Sequence, residues 1–108
     1  MSTFPEPQIS ADPERGTRVA RDDRAHVFHS WSAQAALDPL VVVGAEGSRF
    51  WDDQGNSYLD FASQLVNANI GHQHPKLVAA IKEQADVLCT VAPFHANAAR
   101  SEAARLIS

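Results

Sequence analysis

The sequence predicts an α+β fold: a three-stranded antiparallel meander over residues 40–61, then helices over 75–88 and 97–108. Three observations carry this. Leu40–Val43 is a largely β-branched run, which packs well on a pleated surface. Two turn signals follow at short spacing, Ala45-Glu46-Gly47-Ser48 and Asp53-Gln54-Gly55-Asn56. Beyond Pro75, the residues Leu77, Val78, Ile81, Ala85 and Leu88 recur at helical spacing.

Residues 1–20 carry Pro5, Pro7, Pro13 and Gly16 among charges and read as a flexible N-terminal arm. The structured segment then runs over 21–108. Asp22–Ala36 has a rough apolar stripe of His26, Val27, Phe28, Trp31 and Ala35, which predicts a short helix. Asp38-Pro39 forces an extended or turn conformation, because the proline ring disfavours a helical residue before it.

The strands are expected at Leu40–Val43, Arg49–Asp52 and Ser57–Phe61. Gly55 supplies a residue free to take positive φ in the second connection. In the third strand Leu59 and Phe61 share one face, Tyr58 and Asp60 the other. The meander's oily face needs a cover.

Ala62–Ile70 has no clean period and is rich in Ser63, Gln64, Asn67 and Asn69. Small polar groups need partners when buried. The segment is therefore either a surface loop or the lining of a site. Pro75 suits a first helical position, where its missing N–H costs nothing. Lys76, Lys82, Glu83 and Asp86 fall outside the apolar stripe and read as a solvated helix face. Ala92-Pro93-Phe94-His95 interrupts the helix, and Asn97 is a candidate N-cap for the next. That helix carries Ala99, Ala103, Leu106 and Ile107 to its end with no stop signal, which leads us to expect further chain.

A length of 108 residues suits one small domain or a piece of a larger one. Trp31, Trp51, Phe28, Phe50, Phe61 and Phe94 are many large groups for so few elements. Some of them expect partners outside the segment. The net charge of -4 lacks the basic patch that nucleic-acid binding needs. No apolar run approaches the roughly 20 residues of a membrane span. The N-terminus lacks a signal-peptide core. Cys89 is the single cysteine, so no internal disulfide forms, and it reads as a small buried hydrophobe. Together these point to a cytoplasmic protein.

His72-Gln73-His74 invites a metal reading, since residues two apart share a strand face. Gly71 and Pro75 favour a turn there instead. Asp52, Asp53 and Asp60 raise the idea of paired carboxylates. At a hairpin, Asp serves local backbone hydrogen bonds. Phosphate-binding glycine loops are missing. Ser30 and Ser32 beside His29 lack the glycines of a nucleophile elbow. The residues alone declare no chemistry.

A resemblance adds what they do not. Trp51-Asp52, Gly55, Tyr58-Leu59-Asp60-Phe61, then Asn69-Ile70-Gly71-His72 and His74-Pro75 form an ordered set over which the chain resembles class III aminotransferases. The likeness spans roughly Arg24 to Ile107. It implies a pyridoxal-phosphate enzyme of fold-type I, whose parent fold is α/β with a mostly parallel sheet and which works as a homodimer. The string from Ser63 to Pro75 is similar to members of the taurine–pyruvate or related ω-amino-acid subgroup. By the same resemblance Trp31, Leu65, Val66 and Phe94 wall the substrate pocket. Val66 stands where relatives often have Trp, and Ser30 where they have Pro, so pocket shape and local turn differ. The family's Schiff-base lysine lies beyond Ser108, and neither Lys76 nor Lys82 has its context. The resemblance assigns no catalytic or cofactor-binding residue to this segment.

The implied function is transfer of an amino group from an ω-amino donor to an oxo-acid such as pyruvate, with the 108-residue chain itself inactive. Two other readings stand beside it. One is a free-standing interaction module with an exposed aromatic face. The other is a small metal-binding domain using His72 and His74.

Overall fold

Asp52 organises the sheet. Its Oδ1 accepts hydrogen bonds from the backbone N–H of Gln54 (3.0 Å) and Asn56 (2.8 Å). Its Oδ2 accepts from Asn56 Nδ2 (2.9 Å) and the Tyr58 hydroxyl (2.7 Å). This closes the connection between β2 (Arg49–Asp52) and β3 (Ser57–Leu59). Gly55 takes φ +86° within it, a conformation glycine adopts without steric cost.

The computed structural model describes residues 11–108. β1 (Val42–Glu46) pairs antiparallel with β2, and β2 with β3, in the order β1-β2-β3. Gly44 faces Trp51, Ala45 faces Phe50 and Glu46 faces Arg49. The register shifts between Val42 and Gly44. Phe50 and Tyr58 are cross-strand partners whose rings stack at 5.2 Å. Trp51 is the only buried apolar side chain among the described residues. Asp52 and Asp53 are buried beside it in the chain, and both serve the hairpin.

The strand bounds depart from the sequence expectation at two places. β1 begins at Val42, two residues later, and runs on to Glu46, leaving a tight Gly47-Ser48 turn with Gly47 at φ +58°. β3 ends at Leu59, and Phe61 lies beyond it, 94% exposed.

α1 (Pro13–His26) corrects two expectations at once. It occupies the second part of the segment read as an arm, and it ends where the expected 22–36 helix was to begin its stripe. Residues 1–10 of that arm lie outside the described residues. The cause is capping. Asp12 accepts from the Arg15 N–H at 2.9 Å, Pro13 opens the first turn, and the Thr17 hydroxyl donates to Pro13 O. Only Gly16 of this helix is buried, so no apolar stripe announces it. A Cβ at Gly16 would sit 1.8 Å from Asp53 Oδ2, which shows how closely α1 meets the β2–β3 connection. A short 3-10 turn at Gln34–Ala36 follows.

Residues up to His74 and residues from Pro75 onward form two separate units. The second contains α3 (Pro75–Val87) and α4 (Ala98–Ile107), numbered after the short turn α2 (Ser63–Val66) of the first. Asn97 caps α4, its Oδ1 accepting from the Arg100 N–H at 3.1 Å. No residue of α3 or α4 is buried. Cys89 is exposed rather than buried, because the helix that leads to it has no packed face in this chain. No helix among the described residues is long and apolar enough to cross a membrane.

Candidate functional site

Two closed loops in the first unit carry three of the residues singled out as a pocket wall. In the first, the chain leaves α1 at Val27 in extended conformation. Gln34 then clasps the loop: its Oε1 accepts from the His29 N–H at 3.0 Å, and its Nε2 donates to Ser32 O at 2.9 Å and also to His29 O. His29 Nε2 meets Asp23 Oδ2 at 2.6 Å. At the tip Trp31 takes φ +61° and stands 92% exposed.

The second loop carries Leu65 and Val66. Ser63, Gln64, Leu65 and Val66 have φ of 50°, 47°, 57° and 61°, and ψ is 57° at Gln64 and 51° at Leu65. These are left-handed helical values. The element α2 is thus one left-handed turn made without glycine. Left-handed L-residues cost about 1–2 kcal/mol each, so four cost roughly 4–8 kcal/mol. That approaches the whole net stability of a small domain, about 5–15 kcal/mol. A β-branched residue such as Val66 is a true outlier there.

Local bonds hold the turn. The Val66 N–H donates to Ala62 O (3.0 Å) and the Ala68 N–H to Ser63 O (2.9 Å). Asn67 Nδ2 donates to Gln64 O (2.9 Å). At its entrance Asp60 Oδ1 accepts from the Gln64 N–H at 3.2 Å. At its exit His72 Nε2 lies 2.6 Å from Asp60 Oδ2. The backbone seals the base. Asp60 N–H donates to Ser48 O (2.8 Å), His72 N–H to Gly47 O (2.7 Å) and Gly47 N–H to His72 O (3.0 Å). Gly71 takes φ +87°, and a Cβ on it would lie 3.3 Å from Gly47 O.

The Asp60 side chain is 4% exposed and that of His72 15%. Burial pushes the Asp60 carboxyl up. The His72 hydrogen bond, both Gln64 hydrogen bonds and the attraction of His72 outweigh it and hold the group below its ordinary value. Asp52 behaves alike: burial raises it, and the bonds from Asn56, Tyr58 and Gln54 bring it below the usual range. The Tyr58 hydroxyl is pushed up, first by its bond to Asp52. These carboxylates act as hydrogen-bond acceptors within the fold, and they are not arranged as an acid–base pair.

Leu65 and Val66 sit side by side on the left-handed turn, both exposed, as is Trp31 on the first loop. Phe94 belongs to the second unit, in the segment between α3 and α4, exposed and tilted against His95 at 4.6 Å. His95 O accepts from Arg100 there. His72 and His74 flank Gln73, whose φ of +54° breaks the alternation that a shared strand face needs. Among the described residues no three His, Cys, Asp or Glu side chains gather to hold a metal. The Asp60–His72 pairing escapes sequence reasoning because its members stand 12 residues apart.

A small antiparallel sheet that holds out strained, solvent-facing apolar loops defines the class of object: an α+β segment whose oily side chains are displayed. Residues 31–107 match the family described as aminotransferase class-III. The chain is 44% identical over 70 residues to the acetylornithine aminotransferase of Caldanaerobacter subterraneus subsp. tengcongensis, covering 65% of this chain and 18% of that protein. It is similar in structure to taurine:2-oxoglutarate aminotransferase from Bifidobacterium kashiwanohense, solved in complex with PLP and glutamate. The TM-score is 0.79 at 39% identity, over 85% of this chain and 20% of that one. A thermostable (S)-enantioselective omega-transaminase from Thermomicrobium roseum gives a TM-score of 0.78 at 34% identity, over 91% and 23%. The chain belongs to the class-III aminotransferase family. It spans about a fifth of the length of these relatives.

Proposed function

We propose that this chain is the N-terminal part of a pyridoxal-phosphate aminotransferase that moves an amino group from an ω-amino donor to an oxo-acid such as pyruvate. The match to the class-III family over residues 31–107, which contains Trp31 and the whole second loop, carries the reading. The names of similar proteins support the donor class. Taurine and N-acetylornithine both present a terminal amine, and the third neighbour is called an omega-transaminase.

The chain's part is the wall of the pocket. Trp31, Leu65, Val66 and Phe94 exclude water and shape the space around the donor's carbon chain. Bound pyridoxal phosphate supplies the electron sink for the hard chemistry. The residues here do not form its site. Lys76 and Lys82 are both exposed on α3, whereas a lysine activated for carbonyl chemistry needs a desolvated pocket. No catalytic step is assigned to this chain alone. The complete enzyme acts as a cytoplasmic homodimer with this segment near the subunit interface.

Two experiments test the reading. The coding DNA beyond the Ser108 codon is expected to continue in frame, and the extended protein is expected to form alanine from pyruvate and an ω-amine. The 108-residue chain with added pyridoxal phosphate is expected to give no borohydride-reducible aldimine band. A stoichiometric band contradicts the assignment of the chemistry elsewhere. The exposed Trp31, Phe61 and Phe94 favour a second reading, a free-standing interaction module. A natural stop codon after Ser108 supports it over the first.

A further inference from the structure

The most strained segment of the described chain, Ser63–Val66, also displays its apolar side chains. Leu65 and Val66 are 65% and 71% exposed, so packing within this chain does little to stabilise their left-handed conformation. Strain of this kind persists only where surrounding structure over-determines it, and it clusters where geometry serves a site. The over-determination here is visible. One carboxylate, Asp60, binds the entrance of the turn through the Gln64 N–H and its exit through His72 Nε2. Both partners are anchored to the same β1–β2 turn, Asp60 by its N–H on Ser48 O and His72 by a backbone bridge to Gly47. The two ends of the loop are thus tied to each other and to one fixed point of the sheet.

We propose that Asp60 and His72 are positioning residues: their contact locks the left-handed Ser63–Val66 turn so that Leu65 and Val66 are held out toward the amine substrate. The substrate part of this statement rests on the function proposed above; the lock itself does not. The lock removes the alternative, a relaxed right-handed or extended segment, in which these two side chains would point elsewhere. Deleting either side chain leaves the backbone ties to Gly47 and Ser48 in place but removes the restraint that joins the two ends across the turn, and the strain then drives the turn out of the left-handed region. Gln64 bonds Asp60 through both its N–H and its side chain, while its carbonyl accepts locally from Asn67.

The test is NMR on the 108-residue chain, reading HN–Hα couplings and 13Cα shifts at residues 63–66 and amide exchange at Val66 and Ala68. The unaltered chain is expected to show left-handed values at all four positions. Asp60→Ala and His72→Ala are expected to abolish them and to speed amide exchange in the turn by roughly tenfold or more. Trp51 and Tyr58 amide shifts in the sheet stay in place. His72→Gln, whose Nε2 can reach the same carboxylate, is expected to restore the left-handed values. A purely structural contribution of His72 would not be rescued in this position-specific way. If Asp60→Ala unfolds the sheet, the Leu65→Asn/Val66→Asn background decides. Asn tolerates the left-handed region, so with the strain relaxed Asp60→Ala is expected to leave the sheet folded. Left-handed values that survive both alanine variants, their absence from the unaltered chain, or equal damage in the relaxed background overturn the proposal. None of these readouts uses transaminase activity. Failure of the lock and failure of the functional reading are therefore separable.

Discussion

Around Trp31 the chain closes a loop with Gln34 and an Asp23–His29 contact of 2.6 Å. Around Leu65 and Val66 it closes another with an Asp60–His72 contact of the same 2.6 Å. Distance does not separate the two; burial does. The Asp23 and His29 side chains are 25% and 30% exposed, against 4% and 15% for Asp60 and His72. Water competes for the first pair, and median exposed ion pairs contribute little. The first loop does not depend on its pair, because Gln34 clasps the backbone on its own. It also holds one strained residue, not four. The second loop concentrates its strain and its fastening in one place. A contact's worth here follows from what it excludes and what it restrains.

The largest effect is expected in the sheet to which the second loop is tied. Trp51→Ala removes the buried apolar side chain of the sheet and should cost about 3–5 kcal/mol, read by chemical denaturation, and should loosen the second loop through its ties to Gly47 and Ser48. A second loop left unchanged would break the comparison. Next, Gly71→Ala adds a Cβ at φ +87° close to Gly47 O and should cost about 1–3 kcal/mol. It should disturb amides of the second loop and leave those around Trp31 unchanged.

Acid sharpens the contrast further. The Asp60 carboxyl in the folded chain lies below its ordinary value, so its contribution is present above the unfolded value of about 3.9 and lost as pH falls through the folded one. Amide exchange at Val66 and Ala68 should therefore rise as pH drops below about 4, after correction for intrinsic rates. Asp52 titrates in the same direction, so the β2–β3 connection weakens over a similar window. The smallest effect is a gain. Val66→Asn should stabilise the chain by about 1 kcal/mol by easing a left-handed β-branched residue. A loss would show that the turn is less strained than its dihedral angles indicate.

The sheet and α3 were legible in the sequence because their signals are local. β2 follows a turn and carries alternating residues, and Pro75 marks the start of α3. α1 was missed because a polar helix held by Asp12 and Pro13 has no apolar stripe to detect. The end of β1 moved because the turn is confined to Gly47-Ser48, with Gly47 at positive φ, so Ala45 and Glu46 pair in the strand. Residues 62–70 left open a surface loop or the lining of a site, and most of them are exposed. No propensity rule anticipates Val66 at φ +61°, and no spacing rule joins Asp60 to His72. Those features arise from ties to the Gly47-Ser48 turn, which only three dimensions show. The residues proposed as a pocket wall came from family resemblance, and three of them, Trp31, Leu65 and Val66, stand at positive φ.

The most direct measurement is a crystal structure of the extended protein with pyridoxal phosphate and an ω-amine bound. The account predicts Leu65 and Val66 within about 4 Å of the amine's carbon chain, on a turn still left-handed and tied by Asp60 and His72. A turn that is right-handed, or that faces solvent far from the amine, would contradict it.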